Sequence, residues 1–162
     1  NSSSLSQVGR ISLIAACCAS GTSAAGRPAD EVERMRRFGE LVGIAFQIKD
    51  DLFDYGNGED IGKPSGLDIK EKKLTLPLIH ALQHVSASDR RWMVNTVKNK
   101  NEDDTAVAKV IDMVRQAGGI THAHQRMLAY RDEALDLLRT FPRNEARDGL
   151  EGLVQLTVER TK

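Results

Sequence analysis

Apolar residues recur along the chain at intervals of three and four, and this rhythm predicts helices almost throughout. The clearest case is residues 30–55. There Val32, Met35, Phe38, Val42, Ala45, Ile48 and Leu52 trace one stripe, Asp30 after Pro28 offers a cap, and Gly56 and Gly58 end the pattern. Upstream, residues 6–25 are apolar on most faces and predict a central helix. Further helices are predicted over residues 74–85, 87–98, 102–117, 119–139 and 142–161. Ser86, the Asn99–Asn101 turn, Gly118-Gly119 and Pro142 separate them. Residues 56–72 hold Gly56, Gly58, Gly62, Pro64 and Gly66 with little apolar content, and predict a long loop of the kind that carries function. No alternating run of β-branched residues is present. The expectation is an all-α, mostly antiparallel helix bundle.

Composition changes this picture little. The 162 residues suffice for one core. Lys plus Arg equal Asp plus Glu at 23 each, which gives no basic face for nucleic acid or a membrane surface. Aromatics are 4% of the chain, so the core must be aliphatic. Cys17 and Cys18 are adjacent, fit neither a disulfide framework nor metal-ligand spacing, and suggest a reducing compartment, with the cytoplasm as the default. The longest apolar run, residues 11–19, is too short for a membrane span. Residues 1–10, NSSSLSQVGR, read as a disordered or cloning-derived flank, leaving 11–162 as the helical domain.

The chemistry concentrates in QIKDDLFD, residues 47–54. Gln47, Asp50, Asp51 and Asp54 fall at helical spacings, so one stripe offers an amide and three carboxylates. They sit where the helix dipole is negative, which disfavours anions by about 0.3–1 kcal/mol each. Hard oxygen donors of this kind suit magnesium, which keeps several waters and takes one or two carboxylates plus phosphate oxygens. Gly62-Lys63 and Lys73 add cations that could meet a phosphate. Acid pairs on helices are more often a solvated face, and a calcium-binding helical-hairpin loop is excluded because neither Asp50 nor Asp54 starts the required spacing. By contrast, Glu102-Asp103-Asp104 opens a helix, where acids are favourable without any function.

Gly43-Ile-Ala-Phe46-Gln47 through Asp54, then Gly62-Lys63, Leu67-Asp68 and Lys73-Leu-Thr75-Leu-Pro77-Leu, closely resembles the trans-isoprenyl diphosphate synthases. The order FQ, DDxxD, GK, D, K-x-TLP looks like the second aspartate-rich region and the loop after it. Ala129 to Ala134, Arg147, Leu150 and Leu153 look like the same family. The chain is most similar to bacterial long-chain, octaprenyl-type members. The resemblance implies a helix bundle of the isoprenoid synthase type and the condensation of an allylic prenyl diphosphate with isopentenyl diphosphate. It implies magnesium on Asp50 and Asp54, with Asp51 in support as a ligand or through water, and diphosphate on Lys63 and Lys73 with a hydrogen bond from Gln47. Phe46 would lie beside the hydrocarbon and Asp68 would order the loop. A cytoplasmic homodimer is typical of the family.

Members of the family are longer and carry a first aspartate-rich motif, with arginines that bind isopentenyl diphosphate. These residues are therefore expected to be the C-terminal portion of the bundle, incomplete and inactive alone. Gly9-Arg10 also stands near where the family tends to place a Lys-Thr pair. The rival readings are a non-catalytic subunit of the same fold and a helical interaction module with an acidic face. A terpene cyclase would add an Asn/Asp-Asp-x-x-Ser/Thr-x-x-x-Glu pattern, which these residues lack. His80 and His84 read as surface or partly buried side chains, His122 and His124 as incidental, and Trp92 as a packing residue.

Overall fold

The structure is a computed structural model that describes residues 2–56 and 66–159. Among them every regular element is a helix: α1 (Ser2–Ala24), α2 (Ala29–Phe53), α3 (Leu67–Lys70), α4 (Leu76–His84), α5 (Ala87–Asn99), α6 (Asp104–Gln116), α7 (Gly119–Leu138) and α8 (Glu145–Glu159). None of the described helices is long and apolar enough to cross a membrane.

The chain forms two compact units. The first comprises residues 1–47 and 126–162. Its core is Phe38 and Leu41 of α2, Ala134, Leu135 and Leu138 of α7, and Val154 of α8, with Cys18, Met35 and Tyr130 packed against them. Arg37 reaches Glu133 at 3.1 Å, and the Arg34 guanidinium lies over the Phe141 ring. Residues 2–10 are helical and continuous with the rest of α1. No proline lies between Ser2 and Ile11, and extending a helix, even past Gly9, costs less than nucleating one. Leu13, Leu153 and Leu156 are more than half exposed in this unit.

The second unit comprises residues 48–125. Tyr55, Ile69, Leu78, Ala81, Met93, Val97, Val107, Val110, Ile111 and Val114 form its core, and Trp92 packs at its edge as expected of a structural aromatic. Its helix ends follow local chemistry. The Ser86 hydroxyl accepts from the Asp89 N–H, and the Asp103 carboxylate accepts from Thr105 and Ala106. α6 therefore begins at Asp104 and leaves Glu102 in the preceding turn. Asp30 likewise lies inside the first turn of α2, because the Pro28 carbonyl already accepts from Glu31 and Val32. α8 starts at Glu145, three residues past Pro142, where the Asn144 side chain accepts from the Arg147 N–H.

The histidines are less incidental than their spacing suggests. The His80 ring stacks on His84 at 4.0 Å between centroids and on His122 of α7 at 4.2 Å. Burial, then the neighbouring His84 and His122, push the His80 imidazole below its ordinary value. The unfolded chain then takes up this proton more readily than the folded one. The associated stability is whole above the ordinary histidine value of about 6.5 and is lost as pH falls through it. Chemical denaturation of wild type and His80→Gln at about pH 7.5 and about pH 5.5 is expected to show a smaller acid loss in the variant. Equal losses would remove His80 as the source.

Candidate metal and diphosphate site

Leu41, Ala45 and Ile48 form the buried stripe of α2, and the same register continues to Asp51 and Tyr55. Asp51 thus occupies a core-facing position and is only 8% exposed, whereas Asp50 and Asp54 are half-buried. A nearly buried carboxylate is costly unless it is paired or holds a cation.

α2 ends at Phe53, and the N–H groups of Asp54, Tyr55 and Gly56 turn back to Asp51, Leu52 and Phe53, three residues behind, at 3.2–3.3 Å. With this tighter winding, Asp54 follows Asp51 by one three-residue turn. Its two oxygens accept the Leu67 and Asp68 N–H groups at 2.8 and 2.9 Å, so they cap α3, and its carbonyl accepts from Gly66 at 3.0 Å. Among the described residues, no three carboxylate, histidine or cysteine side chains are gathered as a metal cage. Burial raises the Asp54 carboxyl above its ordinary value. The Asp68 amide pulls it down, the Asp68 charge pushes it up, and the Leu67 amide pulls it down again.

The anionic end of α2 meets protein donors as well as any external cation: two amides on Asp54, and the Arg115 guanidinium on the Tyr55 carbonyl at 2.6 Å. Neither was legible locally, since Arg115 lies sixty residues from its acceptor.

The lysine side of the site is also organised. Lys73 sits 2.8 Å from Asp68 and 2.6 Å from Glu71, and these two partners, Asp68 first, hold its ammonium above the ordinary lysine value. Asp68 therefore links Asp54, through its amide, to Lys73, through its carboxylate. Gly66, at φ 93°, begins this segment, and a Cβ there would lie 2.6 Å from Val107 Cγ1. Thr75 opens α4, but its hydroxyl pairs at 2.6 Å with the Tyr55 phenol instead of capping the helix. Phe46 lies on an exposed face of α2 and Gln47 is half-buried, while Gly62 and Lys63 fall outside the described residues.

Oxygen donors without sulfur or imidazole fit a hard divalent cation. Magnesium takes only one or two carboxylates beside waters and phosphate oxygens, so the oxygens of Asp50, Asp51 and Asp54 fit it without a protein cage.

All-helical architecture with an acidic helix end braced by a short helix defines a helical protein built around an aspartate-rich turn. A sequence profile described as polyprenyl synthetase matches residues 9–114, and the chain belongs to that family. It is 40% identical to the heptaprenyl diphosphate synthase component 2 of Geobacillus stearothermophilus, over 87% of this chain and 43% of that protein. It is 32% identical to the octaprenyl diphosphate synthase of Escherichia coli, over 97% of this chain and 48% of that one. A polyprenyl synthase from Caulobacter crescentus, solved with calcium and isoprenyl diphosphate, superposes with a TM-score of 0.79 at 30% identity, covering 91% of this chain and 45% of its own. The chain thus spans about half the length of the curated relatives it matches.

Proposed function

We propose that the intact protein carrying this chain is a magnesium-dependent trans-polyprenyl diphosphate synthase of the cytoplasm, acting as a homodimer. It would join an allylic prenyl diphosphate head-to-tail to isopentenyl diphosphate. The observation that carries this reading is the family match across residues 9–114, because that span contains the whole aspartate-rich turn and the segment bracing it. The relative solved with calcium and isoprenyl diphosphate supports a divalent cation beside a diphosphate.

In this reading Asp50, Asp51 and Asp54 hold magnesium, which when bound supplies positive charge to the leaving diphosphate. The chain's own groups do the positioning. Asp51 presents its oxygens from a nearly buried register, where electrostatic interactions are stronger than in water. The Leu67 and Asp68 amides fix the direction of Asp54. Lys73, oriented by Asp68, and Lys63 meet diphosphate oxygens, and Gln47 donates a hydrogen bond at the same group. Phe46 lines the side where the hydrocarbon lies. The allylic carbon–oxygen bond breaks as the diphosphate leaves with the electron pair, the isopentenyl double bond attacks the resulting carbocation, and the new cation loses a proton to the departed diphosphate, which restores a double bond.

The test is chain extension. The intact gene product, given an allylic diphosphate, labelled isopentenyl diphosphate and magnesium, is expected to yield a longer prenyl diphosphate, and chelation should abolish it. No extension with magnesium or manganese would sink the reading.

A further inference from the structure

The turn that follows α2 is held from below by groups with no assigned role. Tyr55 is 1% exposed, its phenol meets the Thr75 hydroxyl at 2.6 Å, and Thr75 is itself 3% exposed. Its carbonyl accepts from Arg115 Nη2 at 2.6 Å, while Arg115 Nη1 lies 3.3 Å from Asp112. α6 presents Arg115 from a rigid base, since Val110, Ile111 and Val114 are buried in the core. We propose that Arg115 and the Tyr55–Thr75 hydroxyl pair form a positioning clasp that sets how tightly the Asp50–Asp51–Asp54 turn binds a divalent cation. This rests on the reading of those carboxylates as cation-holding groups.

Three observations carry it. Tyr55 directly follows Asp54, so fixing the carbonyl and the ring of Tyr55 at both ends leaves the preceding residue little freedom to rotate. The Arg115 charge is directed at the main chain of the turn, whereas the Asp54 oxygens take the α3 amides. A charge-assisted bond to the carbonyl offsets the negative helix end without displacing a cation from the carboxylates. The phenol and threonine hydroxyls pair with each other in a buried site, which fixes the ring in one orientation.

The clasp is tested on the intact gene product by titrating manganese, followed by the electron paramagnetic resonance of the free ion, with inorganic pyrophosphate present. Arg115→Met keeps the apolar stem and removes the charge. It is expected to raise the half-saturating manganese concentration about tenfold, with Arg115→Lys recovering part of the loss and turnover returning at high cation. Tyr55→Phe removes one oxygen and should raise it about fivefold, which keeps the proposal testable if Arg115→Met does not fold. Variants matching wild type within about twofold, whatever their melting temperature, overturn the clasp and leave the reading of the site intact. A wild type that takes up no manganese overturns both.

Discussion

Replacing Asp54 by Asn is expected to lower prenyl transfer by the intact protein on the order of 10²–10³-fold and to destabilise the fold by about 1–2 kcal/mol. Two separate roles of one carboxylate produce the two effects. Its oxygens receive different amides, Leu67 on Oδ1 and Asp68 on Oδ2, so an Asn side chain can satisfy only one and sets its own NH₂ against the other. The charge that would help hold magnesium is lost at the same time. Steady-state kinetics across a magnesium series, alongside denaturant unfolding, separates the roles. A variant that loses activity at unchanged stability would show that Asp54 does not brace α3. One that loses stability but keeps its turnover and magnesium dependence would show that it does not serve the cation.

Gly119→Ala is expected to cost about 2–3 kcal/mol, read as a drop of about 5–10 °C in melting temperature. α7 begins at Gly119, and a Cβ there would stand 2.4 Å from the Pro77 carbonyl oxygen and 3.0 Å from Val114 Cγ1. The first obstacle is backbone, so α4 or α7 must shift, and Leu78 and Val114, both fully buried, would lose packing as it does. The same shift would disturb Thr75, at the start of α4, and through it Tyr55. A melting temperature within about 1 °C of wild type would mean that the two helices do not approach this closely.

The sequence made the helices legible because their buried faces repeat with the helical period. α2 spans 29–53 against an expected 30–55, and Ser86 and Asp103 mark helix starts through side-chain caps that depend only on residues nearby. What was hidden is non-local or very short. α3 has four residues, too few to show a period, and it forms where Asp54, thirteen residues earlier, supplies its cap. The tightening after Phe53 leaves no mark in a spacing rule, which assumes a uniform helix. Arg115 reads as an ordinary charge at the end of an amphipathic helix, and only folding brings it to Tyr55. The His80–His122 stack similarly joins residues forty-two apart. The acidic cluster stood out for a sound reason, its opposition to the helix dipole, although protein donors meet part of that cost.

The most direct measurement of the central claim is calorimetric titration of magnesium into the intact protein with a non-hydrolysable allylic diphosphate analogue present, on wild type and on Asp51→Asn. Asp51 is the least exposed of the three acids and makes none of the contacts that cap α3. A saturable heat in wild type that vanishes in the variant is the predicted result. No heat in wild type, or the same heat in both, would contradict the account.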